Sequence, residues 1–327
     1  MINFMKMKIK LLICSLAAAT SWSSCRNNSM ELRDISDSTA VVYMPQAVTS
    51  PAVYSFEISG KADSIVYGAC YGGPHSPASD IPVKFSVDAS LTDHFNSNNF
   101  TSYPMLPEGS YELEQSSAVI PAGRYSTAPL NLVVHVDKLD GVGSYLLPVT
   151  IETNMNVNEK LRTAYFLING HYASNPFPAI DRSKWKVTGF SSEEPTGEGA
   201  TNGHAIHAFD GDVNTFWSTQ WKAAKPGPPH YIKVDMQESR KIHGISITGR
   251  TDKNTGEVKA TGNPKNIIVE LSTDGSNWTY SESFTLANDK VSTVYLAYAH
   301  EARFVKLTVN ASQGDSYLTN MAEINAF

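Results

Sequence analysis

The 327-residue chain holds only three cysteines, too few for a disulfide framework: Cys14 and Cys25 lie near the start and Cys70 stands alone. Charged residues make up 18% of the chain, with 26 Lys and Arg against 32 Asp and Glu. No basic run is present to neutralise a phosphate backbone, which excludes nucleic acid as a partner. The apolar stretch at residues 9–19 is too short to span a bilayer as a mature helix. There is no Gly-x-Ser-x-Gly elbow, no His-Glu-x-x-His and no phosphate loop. The acids are scattered, without the facing pair that glycoside hydrolysis requires. These absences weigh against an enzyme.

What is present begins with a targeting signal. Lys6, Lys8 and Lys10 precede the apolar stretch, and small residues lead to Ser23-Ser24-Cys25. This arrangement resembles a bacterial lipoprotein cleavage site, although Trp22 stands where an aliphatic residue is usual. The resemblance implies removal of residues 1–24, lipidation of Cys25 and an outer-membrane anchor, facing the cell surface or the periplasm. Cleavage removes three lysines and no acid, leaving 23 basic residues against 32 acidic ones and a net charge of −9.

Beyond a polar tether at residues 25–39, the chain breaks into short alternating segments. Residues 41–44, 81–87, 130–136, 145–151 and 163–168 read as strands separated by turns such as Leu106-Pro107-Glu108-Gly109-Ser110. This spacing predicts an antiparallel β-sandwich over residues 40–170, with no helix longer than two turns. The order Tyr103-Pro104-Met105-Leu106-Pro107, Tyr111-Glu112-Leu113, Ile120-Pro121-Ala122-Gly123-Arg124 and Tyr145-Leu146-Leu147-Pro148-Val149 resembles an N-terminal domain of unknown function in Bacteroidetes surface lipoproteins. The resemblance implies an immunoglobulin-like sandwich serving as a spacer or platform. Small residues and prolines at 171–182 mark a linker.

A second module fills residues 183–327. Ala208-Phe209-Asp210-Gly211-Asp212-Val213-Asn214-Thr215-Phe216-Trp217, then Tyr231-Ile232-Lys233-Val234-Asp235, Asp274-Gly275-Ser276-Asn277-Trp278 and Ala302-Arg303-Phe304-Val305, occur in the order of the coagulation factor V/VIII type C, or discoidin, domain. The resemblance implies a jelly-roll β-sandwich with ligand loops at one end, often a carbohydrate-binding module. The whole chain is thus expected to be all-β.

Two sites are expected in this module. Carboxylates and a hydroxyl around a Gly turn suit calcium, which takes six to eight oxygens. Asp210, Asp212 and Thr215 supply oxygens, and His207 a carbonyl. The spacing is not that of an EF-hand, since the twelfth position from Asp210 is Trp221. The family resemblance adds Glu323 and the carbonyl of Ala322, making the ion a structural clasp. Sugar recognition needs an aromatic face and planar polar groups. Ser218 and Trp221 on one loop, Arg250, Asp252 and Asn254 on a second and Tyr317 on a third are the candidate contacts. Family members that bind galactose-type sugars often carry His where Ser218 stands, so the sugar stays unnamed. Trp185, Trp217 and Trp278 are expected in the core, and His204 and His230 in solvent. The expected role is a non-catalytic, lipid-anchored glycan-binding protein; the alternative is a protein-adhesion or scaffold component of a surface glycan-uptake complex.

Overall fold

The computed structural model describes residues 39–327; the expected leader, Cys25 and the tether through residue 38 lie outside the described residues. The first unit contains β1 (Val41–Tyr43), β2 (Ala52–Glu57), β3 (Asp63–Tyr67), β4 (Cys70–Gly72) and β5 (Ile81–Val87). It continues with α1 (Ser90–Asn99), β6 (Tyr111–Leu113), β7 (Ser117–Ile120), β8 (Leu130–Val134), β9 (Ser144–Thr153) and β10 (Thr163–His171). A five-stranded sheet, ordered β2-β10-β9-β5-β7, faces a three-stranded one, β3-β8-β6, with β1 and β4 paired beside them. Period-two burial drives the packing: Ile81, Val83 and Phe85 turn inward while Pro82 and Lys84 face solvent.

Two expectations are corrected here. The sandwich is not wholly antiparallel, because β2 runs parallel to β10. No hairpin joins these distant strands, so nothing local fixes their direction. The ten-residue helix α1 exceeds the two turns allowed for. Asp88 accepts hydrogen bonds from the backbone N and the hydroxyl of Ser90 at its start. Only Thr92 and Phe95 of the helix are buried, so its sequence lacks an apolar stripe. Phe95 packs on Leu146 and Leu167, which explains why the run through β9 is apolar on both faces.

The second unit holds β11 (Lys186–Phe190), β12 (Trp217–Ser218), β13 (His230–Thr248), β14 (Pro264–Ser272), β15 (Trp278–Thr285), β16 (Val291–Ser312), β17 (Asn320–Met321) and β18 (Glu323–Ala326). Its main sheet is ordered β11-β13-β16-β14-β15, with β18 also on β13, while β12 pairs with β17. The long strands β13 and β16 pair antiparallel, and register shifts at Asp235/Arg240 and Ile242/Gly244 let them bend. Trp217 is fully buried in this core and Trp185 nearly so, whereas Trp278 is half-buried. The turn-rich segments around 197–202, 213–216 and 250–259 gather at one site.

The two units meet along a closely fitted seam. Residues 140–143 lie on β16: Gly143 N donates to Ala297 O at 2.7 Å, and Ala299 N donates to Asp140 O at 2.7 Å. A Cβ on Gly141 would lie 2.4 Å from Ala297 O, and one on Gly143 2.6 Å from the same oxygen. Gly141 also sits at φ 145°, so glycine is required for both space and conformation. Tyr298 of β16 packs against the core of the first unit. Its hydroxyl donates to Ser144 O at 2.9 Å, and its ring meets Tyr145 edge-on at 5.3 Å. The connecting segment is docked too: Phe177 stacks on His243 with centroids 3.8 Å apart, and Ile180 N donates to Ala326 O.

Candidate functional site

A groove of about 310 Å³ opens where three loops of the second unit converge. Arg250 follows the end of β13, and its backbone N is tied to Asn263 Oδ1 at 2.8 Å. Its guanidinium lies 3.8 Å from the centroid of the Phe216 ring. Glu198 grips it with both oxygens, at 3.3 Å to Nη1 and 3.1 Å to Nη2. The guanidinium is thus held over an aromatic ring by a two-pronged carboxylate contact, which Lys with its single ammonium cannot reproduce.

Glu198 is placed by a buried carboxylate further back. Glu194 Oε1 accepts from the backbone N–H groups of Thr196 and Gly197, and Oε2 from those of Trp221 and Lys222. Burial pushes the Glu194 carboxyl upward, but these four donors outweigh it and hold it near a pKa of about 2. Trp221 Nε1 donates to Glu198 Oε1 at 2.9 Å. A Cβ on Gly197 would lie 2.7 Å from the Trp221 ring, so this loop needs glycine to fit beneath the indole.

The opposite wall is the loop after Arg250. Asp252 pairs with Lys259 at 2.6 Å and accepts from the backbone N–H groups of Asn254 and Thr255. Lys259 and then those donors hold its carboxyl near a pKa of about 2. Asn254 stands exposed on this wall, while Asn202 and half-exposed Val213 form the other rim. Glu198 is paired to Arg250 and Asp252 to Lys259, while Lys253 lines the same wall outside these two pairs.

Arg250, Asp252 and Asn254 therefore come together. The other sugar candidates do not line the groove. Ser218 is fully buried in β12, opposite Asn320. Trp221 stands behind Glu198 as a support. Tyr317 is on a separate loop, with Lys225 Nζ 5.0 Å from its ring, and its carbonyl meets His230 Nε2 at 2.7 Å. That contact also corrects the expectation for His230, which is buried; His204 is partly exposed and meets Glu193 at 3.1 Å. Glu198, Glu194 and the role of Phe216 escape sequence reasoning. Glu193, Glu194 and Glu198 look like an ordinary solvated acidic stretch, and only the fold brings Arg250 onto Glu198 from 52 positions away.

The expected metal loop follows the short turn Ala205–Ala208. Asp210 Oδ2 accepts from Thr215 Oγ1 at 2.7 Å, and Asp210 Oδ1 from Asp212 N at 2.9 Å. Asp212 instead turns to Asn214, accepting from both its backbone and side-chain nitrogens. Glu323 is buried beside Asp210; burial and that neighbouring acid push its carboxyl up, while Arg182 opposes them. Arg182 binds Glu323 Oε2 and also donates to Ile324 O, leaving buried Glu323 Oε1 without a partner. An orphaned carboxylate oxygen next to a second acid fits a hard cation. Among the described residues, however, no group of three His, Cys, Asp or Glu side chains forms a metal cage. Any such ion at Asp210 and Glu323 would need carbonyl oxygens, for which His207 and Ala322 are the sequence candidates.

Two stacked β units, with a loop-built groove on the second, define a two-module all-β binding architecture. Residues 187–324 match the F5/8 type C domain family, and residues 36–158 match an N-terminal domain family. The chain therefore carries an F5/8 type C domain behind that N-terminal domain. It is 28% identical to a lacto-N-biosidase of Bifidobacterium bifidum over 253 residues, covering 74% of this chain and 20% of the relative. Among solved structures, the C-terminal domain of a chitobiase from Bacteroides fragilis is 30% identical, with 46% of this chain and 97% of that chain covered at a TM-score of 0.40. A family 32 carbohydrate-binding module of Clostridium perfringens in complex with galactose is 25% identical, with 45% and 96% covered at a TM-score of 0.36. The chain spans about a fifth of the length of the curated relatives it matches.

Proposed function

We propose that the chain is a non-catalytic, lipid-anchored glycan-binding protein of the outer membrane. The second unit captures carbohydrate in the Arg250 groove, and the first holds that unit away from the anchor. The observation that supports this most is Arg250, held by Glu198 over the Phe216 ring and lining an open groove. The guanidinium N–H groups that do not face Glu198 would donate to sugar hydroxyls without having to be ordered on binding, which lowers the entropic cost. Asn254 and Asn202 would take further hydroxyls, and Val213 with the edge of Phe216 would meet the C–H face of the ring. An affinity in the millimolar to micromolar range, about −4 to −8 kcal/mol, is expected.

Calcium at Asp210 and Glu323 would fix the shape of the module and take no part in chemistry. The Bifidobacterium relative makes lacto-N-biose units the first sugars to test. A glycan array probed with the full chain and with Arg250→Ala checks the reading. Binding that disappears in the variant supports it; uniform silence over plant, host and microbial glycans overturns it.

A further inference from the structure

A second cleft, of about 500 Å³, lies on the seam between the two units. That is within the range of roughly 300–1,000 Å³ usual for small-molecule sites, which favour domain junctions. Three parts of the chain wall it: the first unit gives Ser59 and Asp137, the connecting segment Tyr172 and Phe177, and the second unit His243. It exists only because the units are docked.

The neighbouring charges are already engaged. Lys138 Nζ donates to Gly109 O at 3.0 Å, and Asp140 pairs with Lys241 at 2.6 Å. Other polar groups of the wall are left over among the described residues. No described residue bonds to the exposed Asp137 carboxylate, and the buried Nδ1 of His243 has no partner. Beside them the rings form a continuous wall: Phe177 stacks on His243, and Tyr172 meets Phe177 edge-on at 5.4 Å.

We propose that this cleft is a second carbohydrate subsite, taking one or two residues of an uncharged glycan against Tyr172 and Phe177, with Asp137 accepting from hydroxyl groups. An aromatic wall beside an open acceptor matches the two faces of a sugar ring, one apolar and one rich in hydroxyls. An acidic sugar would meet Asp137, and a cationic one the nearby Lys138 and Lys241. Burial, with Lys241 nearby, holds His243 below its usual range, so at neutral pH the ring adds no positive charge to the cleft. The cleft shares no residue with the Arg250 groove, so the two assignments stand or fall separately.

Saturation-transfer NMR on the full chain with lactose, N-acetyllactosamine and N,N′-diacetylchitobiose separates them. Arg250→Ala should keep a saturable signal with at least one of these sugars. That residual binding should weaken at least fivefold when Asp137→Asn is added, and similarly with Phe177→Ala. Asp137 is exposed and bonded by none of the described residues, so its variant is expected to fold even if Phe177→Ala does not. Complete loss in Arg250→Ala alone overturns the seam site and leaves the groove. Residual binding indifferent to Asp137→Asn overturns it as well. Full binding in Arg250→Ala that falls with Asp137→Asn supports the seam and sinks the groove. Silence of the unmodified chain with all three sugars overturns the seam site, and the wider glycan array then decides the groove by itself.

Discussion

At the scale of single residues, the groove is a set of charges fixed by partners remote in sequence. Arg250 is legible from the sequence as a planar, many-donor side chain on a candidate ligand loop. Its grip is not legible, since Glu198 has no local pattern to mark it. Ser218 misleads for a related reason: its place after Trp217 suggests a loop, whereas pairing of β12 with β17 buries it. Glu194 gives the sharpest test. Its folded-state pKa lies well below the ordinary carboxylate value of about 4.3, at about 2. A carboxyl shifted down stabilises the fold fully above the unfolded value, and that stability is lost as pH falls through the folded one. The second unit should therefore lose stability between about pH 4.5 and about pH 2. Glu194→Gln should lower the melting temperature by several degrees at pH 7 and flatten the curve across that window, because hydrogen bonds to a charged acceptor contribute about 1.5–3 kcal/mol each. Melting curves of both proteins from pH 7 to pH 2 check this, and parallel curves would count against it.

At the scale of elements, legibility follows periodicity. Strands such as β5 alternate cleanly and are read correctly, while α1 buries only two side chains and leaves no stripe to find. The loop at residues 207–217 is intermediate. Its turn and its Asp210–Thr215 contact are visible in the residue types, but Asp212 faces Asn214 for reasons of local backbone geometry. If an ion binds at Asp210 and Glu323, it joins a loop to the strand β18. Chelation should then lower the melting temperature by several degrees, and added calcium should restore it. Calorimetry with and without chelator decides; coincident transitions would remove calcium from the account.

At the scale of the whole molecule, the seam turns two units into one body. A linker at residues 171–182 is what the composition suggests, yet Phe177 and Ile180 are docked on the second unit. The glycines that permit contact at Ala297 look like turn residues until the second unit is laid beside them. Gly141→Val should break the seam without unfolding either sandwich, since the added side chain collides with Ala297 O and not with either core. Small-angle scattering should show a larger radius of gyration, and an unchanged profile would contradict a seam of this kind. Tyr298 carries a further consequence. Part of the first sandwich's packing comes from a residue synthesised long after that sandwich is complete. At about 5–20 residues per second, Tyr298 leaves the ribosome roughly 6–25 s after His171. Through that interval the nascent sandwich shows the world an unfilled tyrosine socket beside Tyr145, a place for a chaperone to hold or for a neighbouring chain to capture by mistake.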